Sequence, residues 1–148
     1  MNKGMLVTGI VIFVLVGGGL FITNQPSQKA ETTKMMVDKN STSRYVEYSK
    51  AAYDQTADKR RVLYFYATWC PSCKVTNEDF TANPDKIPED VVVIRINYND
   101  PNTDQEEKDL AKKYAITYQH TFVQIDPQGK EITKWNGGQI EELLANIK

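Results

Sequence analysis

Two thiols and one imidazole stand out as the reactive side chains of this sequence. Cys70 and Cys73 are its two cysteines, set in the stretch LYFYATWCPSCKVTNEDF at residues 63–80, and His120 is its single histidine. A cysteine pair at that spacing has three uses: a redox couple, a metal clip or a covalent staple. On a helix, residues three apart share a face, so the two β-carbons come close enough for a disulfide without moving the backbone. Pro71 follows Cys70 at the first helical position, where a missing N–H costs little. Cys70 then sits where the first-turn N–H groups lack partners and the helix end is positive, which stabilises a thiolate and lowers its pKa. Cys73, one turn in, is expected to be more buried and less acidic. The asymmetry divides the work. Cys70 attacks a disulfide on a partner, and Cys73 then attacks Cys70 and releases the partner. That reading requires Cys70 to be reachable. Two thiolates and an imidazole also suit Cu(I) or Zn(II), so Cys70, Cys73 and His120 make an alternative metal site. A fourth protein ligand for structural zinc is not evident. A staple alone is poorly motivated, because so short a loop gains little from closure.

These residues need elements to hold them. Residues 61–67 (RVLYFYA) form a continuous apolar and aromatic run that suits a central strand buried on both faces. A helix over 70–81 follows. Residues 91–97 (VVVIRIN) read as a second strand, 121–126 (TFVQID) as a third and 131–135 as a fourth, the last two joined by the tight turn DPQGK at 126–130. Helices are expected over 44–55, where Tyr45, Tyr48, Ala52 and Tyr53 recur near helical spacing, and over 104–114, with acids first and lysines last. A final helix over 139–147 follows Gly137 and Gly138 and puts Ile140, Leu143, Leu144 and Ile147 on one face. The order α–β–α–β–α–β–β–α predicts an α/β fold with a mixed four-stranded sheet flanked by helices. Tyr45, Tyr48, Tyr53, Tyr64 and Tyr66 read as packing residues and Trp135 as a cover for the sheet. Asp104, Glu106 and Glu107 read as a solvated helix start.

A strand, then Trp69-Cys70-Pro71-Ser72-Cys73-Lys74, then a helix resembles the thioredoxin family over residues 44–148. Proline directly after the first cysteine is more similar to its membrane-tethered, extracytoplasmic branch than to the cytosolic form, whose motif is WCGPC. The resemblance implies a thioredoxin-like fold, Cys70 as the exposed nucleophile, Cys73 as the resolving thiol and Trp69 as an apolar cover beside them. It implies no cofactor beyond a redox-active Cys70–Cys73 disulfide, and a reductase or isomerase-like direction rather than net oxidation. Two departures follow from the same comparison. Many members carry a buried aspartate six residues before the first cysteine; here that position is Tyr64, so proton transfer to and from Cys73 must use water or another residue. Glu78, five residues after Cys73, is one candidate. The family also places a cis-proline before its third strand, in a loop that faces the pair and guides substrate. Here Thr121 and Phe122 fit that pattern, but His120 replaces the proline. A cis bond before a non-proline residue costs about 2.5–4 kcal/mol, so Gln119–His120 is expected to be trans. His120 itself has three readings: a base or imidazolium partner for Cys70, a third metal ligand, or a solvent-facing side chain at the start of a strand.

The chain has 148 residues and a formal net charge of −1 with the signs interspersed, so no basic stripe points to nucleic acid. Residues 5–22 (MLVTGIVIFVLVGGGLFI) carry no charge and reach the short end of what spans a bilayer. The readings are a transmembrane anchor, a cleaved signal peptide or a buried helix, with the anchor preferred. Lys3 before the span favours a cytoplasmic N-terminus and a domain outside the cytoplasm. Residues 23–43 are polar and read as a flexible tether, leaving 44–148 as the folded domain. In that compartment a disulfide can persist. The expected partners are exported protein thiols and disulfides, with a transmembrane electron donor to keep a reductase supplied.

Overall fold

The computed structural model describes residues 43–148. The apolar segment at 5–22, and the tether apart from its last residue, lie outside the described residues. Among the described residues no helix is long and apolar enough to cross a membrane.

The sheet has five strands, not four. β1 (Tyr45–Glu47), β2 (Arg60–Tyr66), β3 (Val91–Asn97), β4 (Thr121–Ile125) and β5 (Glu131–Asn136) lie in the order β1-β3-β2-β4-β5. β1 and β2 run parallel to β3, while β4 is antiparallel to both β2 and β5, so the sheet is mixed as expected. The fifth strand comes from the segment read as one helix over 44–55. That segment splits into β1 and a six-residue helix, α1 (Lys50–Gln55). The reason is visible in the side chains: Tyr45 packs on one face of the sheet, Val46 and Tyr48 on the other. Ser49 marks the switch, its hydroxyl accepting from the Ala52 N–H as an N-cap.

β2 occupies the centre and is covered on both sides. Val62, Tyr64 and Tyr66 enter one core with Cys73, Phe80, Ile140 and Leu143, which come from α2 (Pro71–Ala82) and α4 (Ile140–Asn146). Leu63 and Phe65 enter the other with Ala111 of α3 (Gln105–Lys113) and Tyr114. The continuous apolar run at 61–67 was the correct signal, because a strand with two buried faces has no polar side to alternate with. In α4 the expected stripe is only half used: Ile140 and Leu143 are buried, whereas Leu144 is exposed.

The acidic start of α3 is not simply solvated. Asp104 and Glu107 form a reciprocal capping box, and Glu107 is buried. Its Oε1 accepts from the Asn97 backbone N–H at 2.8 Å and from the Asn97 amide at 3.1 Å. One carboxylate thus caps a helix and ends β3.

Candidate functional site

Cys70 is the N-cap of α2, and its sulfur does the capping: Cys70 Sγ accepts from the Cys73 N–H at 3.2 Å. Pro71 stands at the first helical position. The expected helix start over 70–81 is therefore off by one residue, and the cysteine side chain takes the place that serine or aspartate fills elsewhere. Ser72 Oγ lies 3.3 Å from the same sulfur. The two cysteines are free thiols.

The electrostatics separate them. Burial pushes the Cys70 thiol up, but hydrogen bonds from the Cys73 side chain, from Ser72, from the Cys73 N–H and from the Gln119 side chain outweigh it, and the net direction is down. Cys73 is pushed up to about 11, mainly by burial and next by its hydrogen bond to Cys70. The expected asymmetry is present. Accessibility needs a correction. Cys73 is fully covered, as foreseen, but Cys70 retains only 3% of its surface. The nucleophile is recessed rather than exposed, so a partner disulfide has a narrow line of approach.

Trp69 supplies one wall. Half of it is exposed, and its indole N–H donates to the Asn99 carbonyl at 2.9 Å. The turn behind it is tied to Asp100, a buried carboxylate that accepts from the Thr68 N–H at 2.7 Å, from the Thr68 hydroxyl, and from the Asn102 N–H at 3.1 Å. Burial raises the Asp100 pKa, yet these bonds prevail and hold it below the usual carboxylate range. Nothing in the sequence spacing pointed to Asp100.

The loop before β4 supplies the other wall, with His120 turned away from the pair. The Gln119–His120 bond is trans, and His120 lies in the left-handed region at φ 62°. Three backbone-directed bonds fix it there. Its N–H donates to the Phe65 carbonyl at 2.7 Å, and its carbonyl accepts from Gly137 at 2.8 Å and from the Asn136 amide at 3.0 Å. The imidazole lies between α2 and the entry to α4. The Thr76 hydroxyl donates to the Gly138 carbonyl at 2.8 Å, which leaves its oxygen to accept from His120 Nε2–H at 3.1 Å; Nε2 is also 3.4 Å from the Gly138 carbonyl. Burial lowers the His120 pKa, against the opposing pull of the Gly138 carbonyl, so the ring is neutral near pH 7. It therefore supplies neither an imidazolium partner nor a contact to either sulfur, and it is not a solvent-facing side chain. From this loop the Gln119 side chain adds a small lowering influence on the Cys70 thiol, after those of Cys73 and Ser72. Among the described residues no three His, Cys, Asp or Glu side chains gather to hold a metal ion, so the Cys70, Cys73, His120 triad does not assemble. Thr121 is buried, and its hydroxyl donates to the Tyr118 carbonyl at 2.9 Å, bracing the loop rather than meeting a partner.

Tyr64 does more than pack. Fully buried under the dithiol, its hydroxyl donates to the Cys73 carbonyl at 3.1 Å. The ring stacks on Phe122 at 4.4 Å, and Phe122 in turn on Trp135 at 5.3 Å, which is the cover role expected of Trp135. Glu78 is exposed.

Comparison with known proteins agrees with this geometry. Residues 47–147 match a family model described as a thioredoxin-like domain. The chain is 32% identical over 103 residues to thioredoxin of Oryctolagus cuniculus, covering 67% of this chain and 90% of that one. It is 33% identical over 87 residues to chloroplastic thioredoxin F of Oryza sativa subsp. japonica, covering 59% of this chain and 43% of that longer relative. Among solved structures, thioredoxin f2 in complex with ferredoxin:thioredoxin reductase superposes with a TM-score of 0.53 at 28% identity, covering 68% of this chain and 89% of that one. With a dithiol capping the helix after the central strand, and a family match that runs through most of its length, the chain belongs to the thioredoxin-like family and is a thiol–disulfide oxidoreductase.

Proposed function

We propose that this domain reduces disulfides in proteins outside the cytoplasm, with Cys70 as the attacking sulfur, Cys73 as the resolving one and residues 5–22 as its membrane anchor. The observation that carries the division of roles is the cap: Cys70 Sγ receives the Cys73 N–H at the positive end of α2, while Cys73 is held at about 11 beneath it. Ionised Cys70 attacks the partner's disulfide, one partner sulfur leaves as a thiolate, and a mixed disulfide forms. Cys73 then displaces the second partner sulfur and closes the Cys70–Cys73 disulfide.

The way the thiolate is stabilised supports the reductive direction. A strong oxidant owes its potential to a heavily stabilised reduced form. At Cys70, burial works against the stabilising hydrogen bonds, so the reduced form gains less than those bonds alone would give. A turnover supply of electrons outside the cytoplasm requires a transmembrane donor. The thioredoxin f2 neighbour forms a complex with ferredoxin:thioredoxin reductase, a precedent for a reductase as a partner of such a domain.

Equilibration against glutathione tests the direction. A midpoint nearer to roughly −270 mV than to roughly −120 mV supports reduction, and the reverse order overturns it. Cys73→Ser in the full-length chain tests clients and location together. Mixed disulfides with exported proteins should accumulate in the membrane fraction, and their recovery from a soluble cytoplasmic fraction instead would refute the placement.

A further inference from the structure

α2 fixes Cys70 from one side only. On the other side Cys70 closes a turn: its N–H donates to the Ala67 carbonyl at 3.1 Å, and Thr68 and Trp69 are the central residues. Neither is of the types that preset a turn, which are mainly glycine, proline, asparagine, aspartate and serine. Both are held instead from the loop after β3. One oxygen of Asp100 accepts from the Thr68 N–H at 2.7 Å and from the Thr68 hydroxyl, and the other accepts from the Asn102 N–H at 3.1 Å. The Trp69 indole donates to the Asn99 carbonyl. That loop is itself braced. The Asp100 N–H donates to the Thr103 hydroxyl at 3.0 Å, the Thr103 N–H returns to the Asp100 carbonyl at 2.9 Å, and Asp104 then caps α3.

Asp100 is 8% exposed, and among the described residues no lysine or arginine forms an ion pair with it. A buried carboxylate is costly unless its oxygens are well bonded, and here three donors do that. An amide would not serve as well. With one acceptor oxygen, it would turn its own N–H toward either Thr68 or Asn102. The titratable groups that share a core with Cys70 are Cys73 from α2 and Tyr64 and Tyr66 from β2. Arg95 of β3 lies over the Tyr66 ring at 5.0 Å, bonded to Glu47 and Asn77.

We propose that Asp100 is a positioning residue for disulfide exchange: by gripping Thr68 it sets the turn that keeps Cys70 Sγ at the cap of α2, within reach of the Cys73 N–H. The inference rests on the reading of Cys70 as the attacking sulfur. Asp100 takes no part in the bond changes, because its oxygens are bonded to Thr68 and Asn102. It acts through the chain, two residues before the sulfur. Cysteine is not among the preferred helix caps, so the cap position needs support from outside the helix. When the turn relaxes, the sulfur loses the 3.2 Å bond from the Cys73 N–H that holds its negative charge. Position and charge predict opposite signs. A carboxylate acting by charge disfavours a nearby thiolate, so its removal makes Cys70 more acidic. A carboxylate acting by position makes Cys70 less acidic when it is lost.

The experiment titrates Cys70 in the reduced full-length chain by its rate of alkylation with iodoacetamide, from about pH 5 to 9, with the modified residue identified by mass. Wild type is compared with Asp100→Ala, which removes the anchor and its charge, and with Thr68→Val, which removes one bond and leaves the charge in place. Asp100→Ala should lower the Cys70 acid constant about fivefold, part of the roughly tenfold or more that complete loss of a hydrogen bond to a charged group implies. Thr68→Val should lower it about twofold, since the Thr68 N–H still reaches Asp100. A fall in either variant supports the proposal, because removal of charge acts in the other direction and Thr68→Val changes no charge. If neither variant lowers the constant, the proposal is overturned, even where urea denaturation shows a loss of stability, for that is a structural role alone. If Asp100→Ala does not fold, Thr68→Val decides by itself: a fall supports the proposal and an unmoved titration overturns it. If wild-type Cys70 is not alkylated at any pH in the range, the reading of Cys70 as nucleophile fails and takes this inference with it. A normal wild-type titration with unmoved variants sinks only the role of Asp100.

Discussion

The turn that carries Cys70 and the turn that carries His120 face the same dithiol, but they are held in different ways. Residues 70–73 follow local rules: a proline at the first helical position, a side-chain cap three residues back, a helix dipole aligned with the sulfur. Residues 118–121 have one local bond, from the Thr121 hydroxyl to the Tyr118 carbonyl, and otherwise depend on distant partners. His120 sits at φ 62°, a conformation most side chains avoid, and is kept there by bonds to Phe65, Asn136 and Gly137 from two other strands and a loop. Chemistry was placed on the locally determined turn. The tertiary turn bears on the nucleophile weakly, through the Gln119 side chain.

Cutting the reactive atom out of the first turn should give the largest effect and leave the fold alone. Cys70→Ser should reduce insulin disulfides at the background rate, because an alcohol at neutral pH is not an effective nucleophile here. Serine is also a preferred N-cap, so the denaturation midpoint should move by less than about 0.5 kcal/mol. A large stability loss would show that the sulfur carries structure as well as chemistry. In the second turn the pattern should reverse. His120→Pro, which makes the loop more like its relatives, removes the N–H that bonds to Phe65 and imposes a negative φ on a residue at φ 62°. A cost of about 3 kcal/mol or more is expected by urea denaturation. An unchanged midpoint would mean that the loop has a second conformation of equal stability.

The clasp between the turns is the next target. Thr76→Val keeps the shape of the side chain but removes the hydroxyl that bonds to His120 and to the Gly138 carbonyl. Leaving those groups underbonded should cost about 1–2 kcal/mol. Gly138 itself cannot be varied cleanly, since its φ is 104° and an added β-carbon would lie 2.3 Å from Glu142 Cβ.

The same division explains what could be read from the sequence. Arg60–Tyr66, Val91–Asn97 and the hairpin formed by Thr121–Ile125 and Glu131–Asn136 were legible because two-sided burial and turn residues leave direct marks on composition. The cysteine pair was legible because its geometry is local. The first helix was misread because Tyr45 and Tyr48, three apart, fit a helical stripe as well as opposite faces of a strand, and only pairing with Val93–Arg95 decides between them. Asp100, Thr76 and Gln119 were missed for a common reason: each acts on a residue at least 32 positions away, and spacing carries no trace of it. Tyr64 was noticed as an absent carboxylate, yet what its hydroxyl does depends on where α2 crosses β2.

Protonation of His120 gives the finest separation of the two turns. Burial holds its folded pKa below the ordinary 6.5, so the folded state favours the neutral ring. The sign follows by linkage: the stability from this residue is fully present above the unfolded pKa and is lost as pH falls through the folded value. Asparagine tolerates the left-handed region and cannot titrate. Wild type should therefore lose stability relative to His120→Asn as pH is lowered from about 7.5 to 5, by less than about 1 kcal/mol for a half-buried ring. Over the same range the titration of Cys70, followed by its rate of alkylation, should coincide in the two proteins, because the imidazole makes no contact with that sulfur. A Cys70 titration that moves with the loss of His120 would join the turns electrostatically and make the histidine part of the redox chemistry.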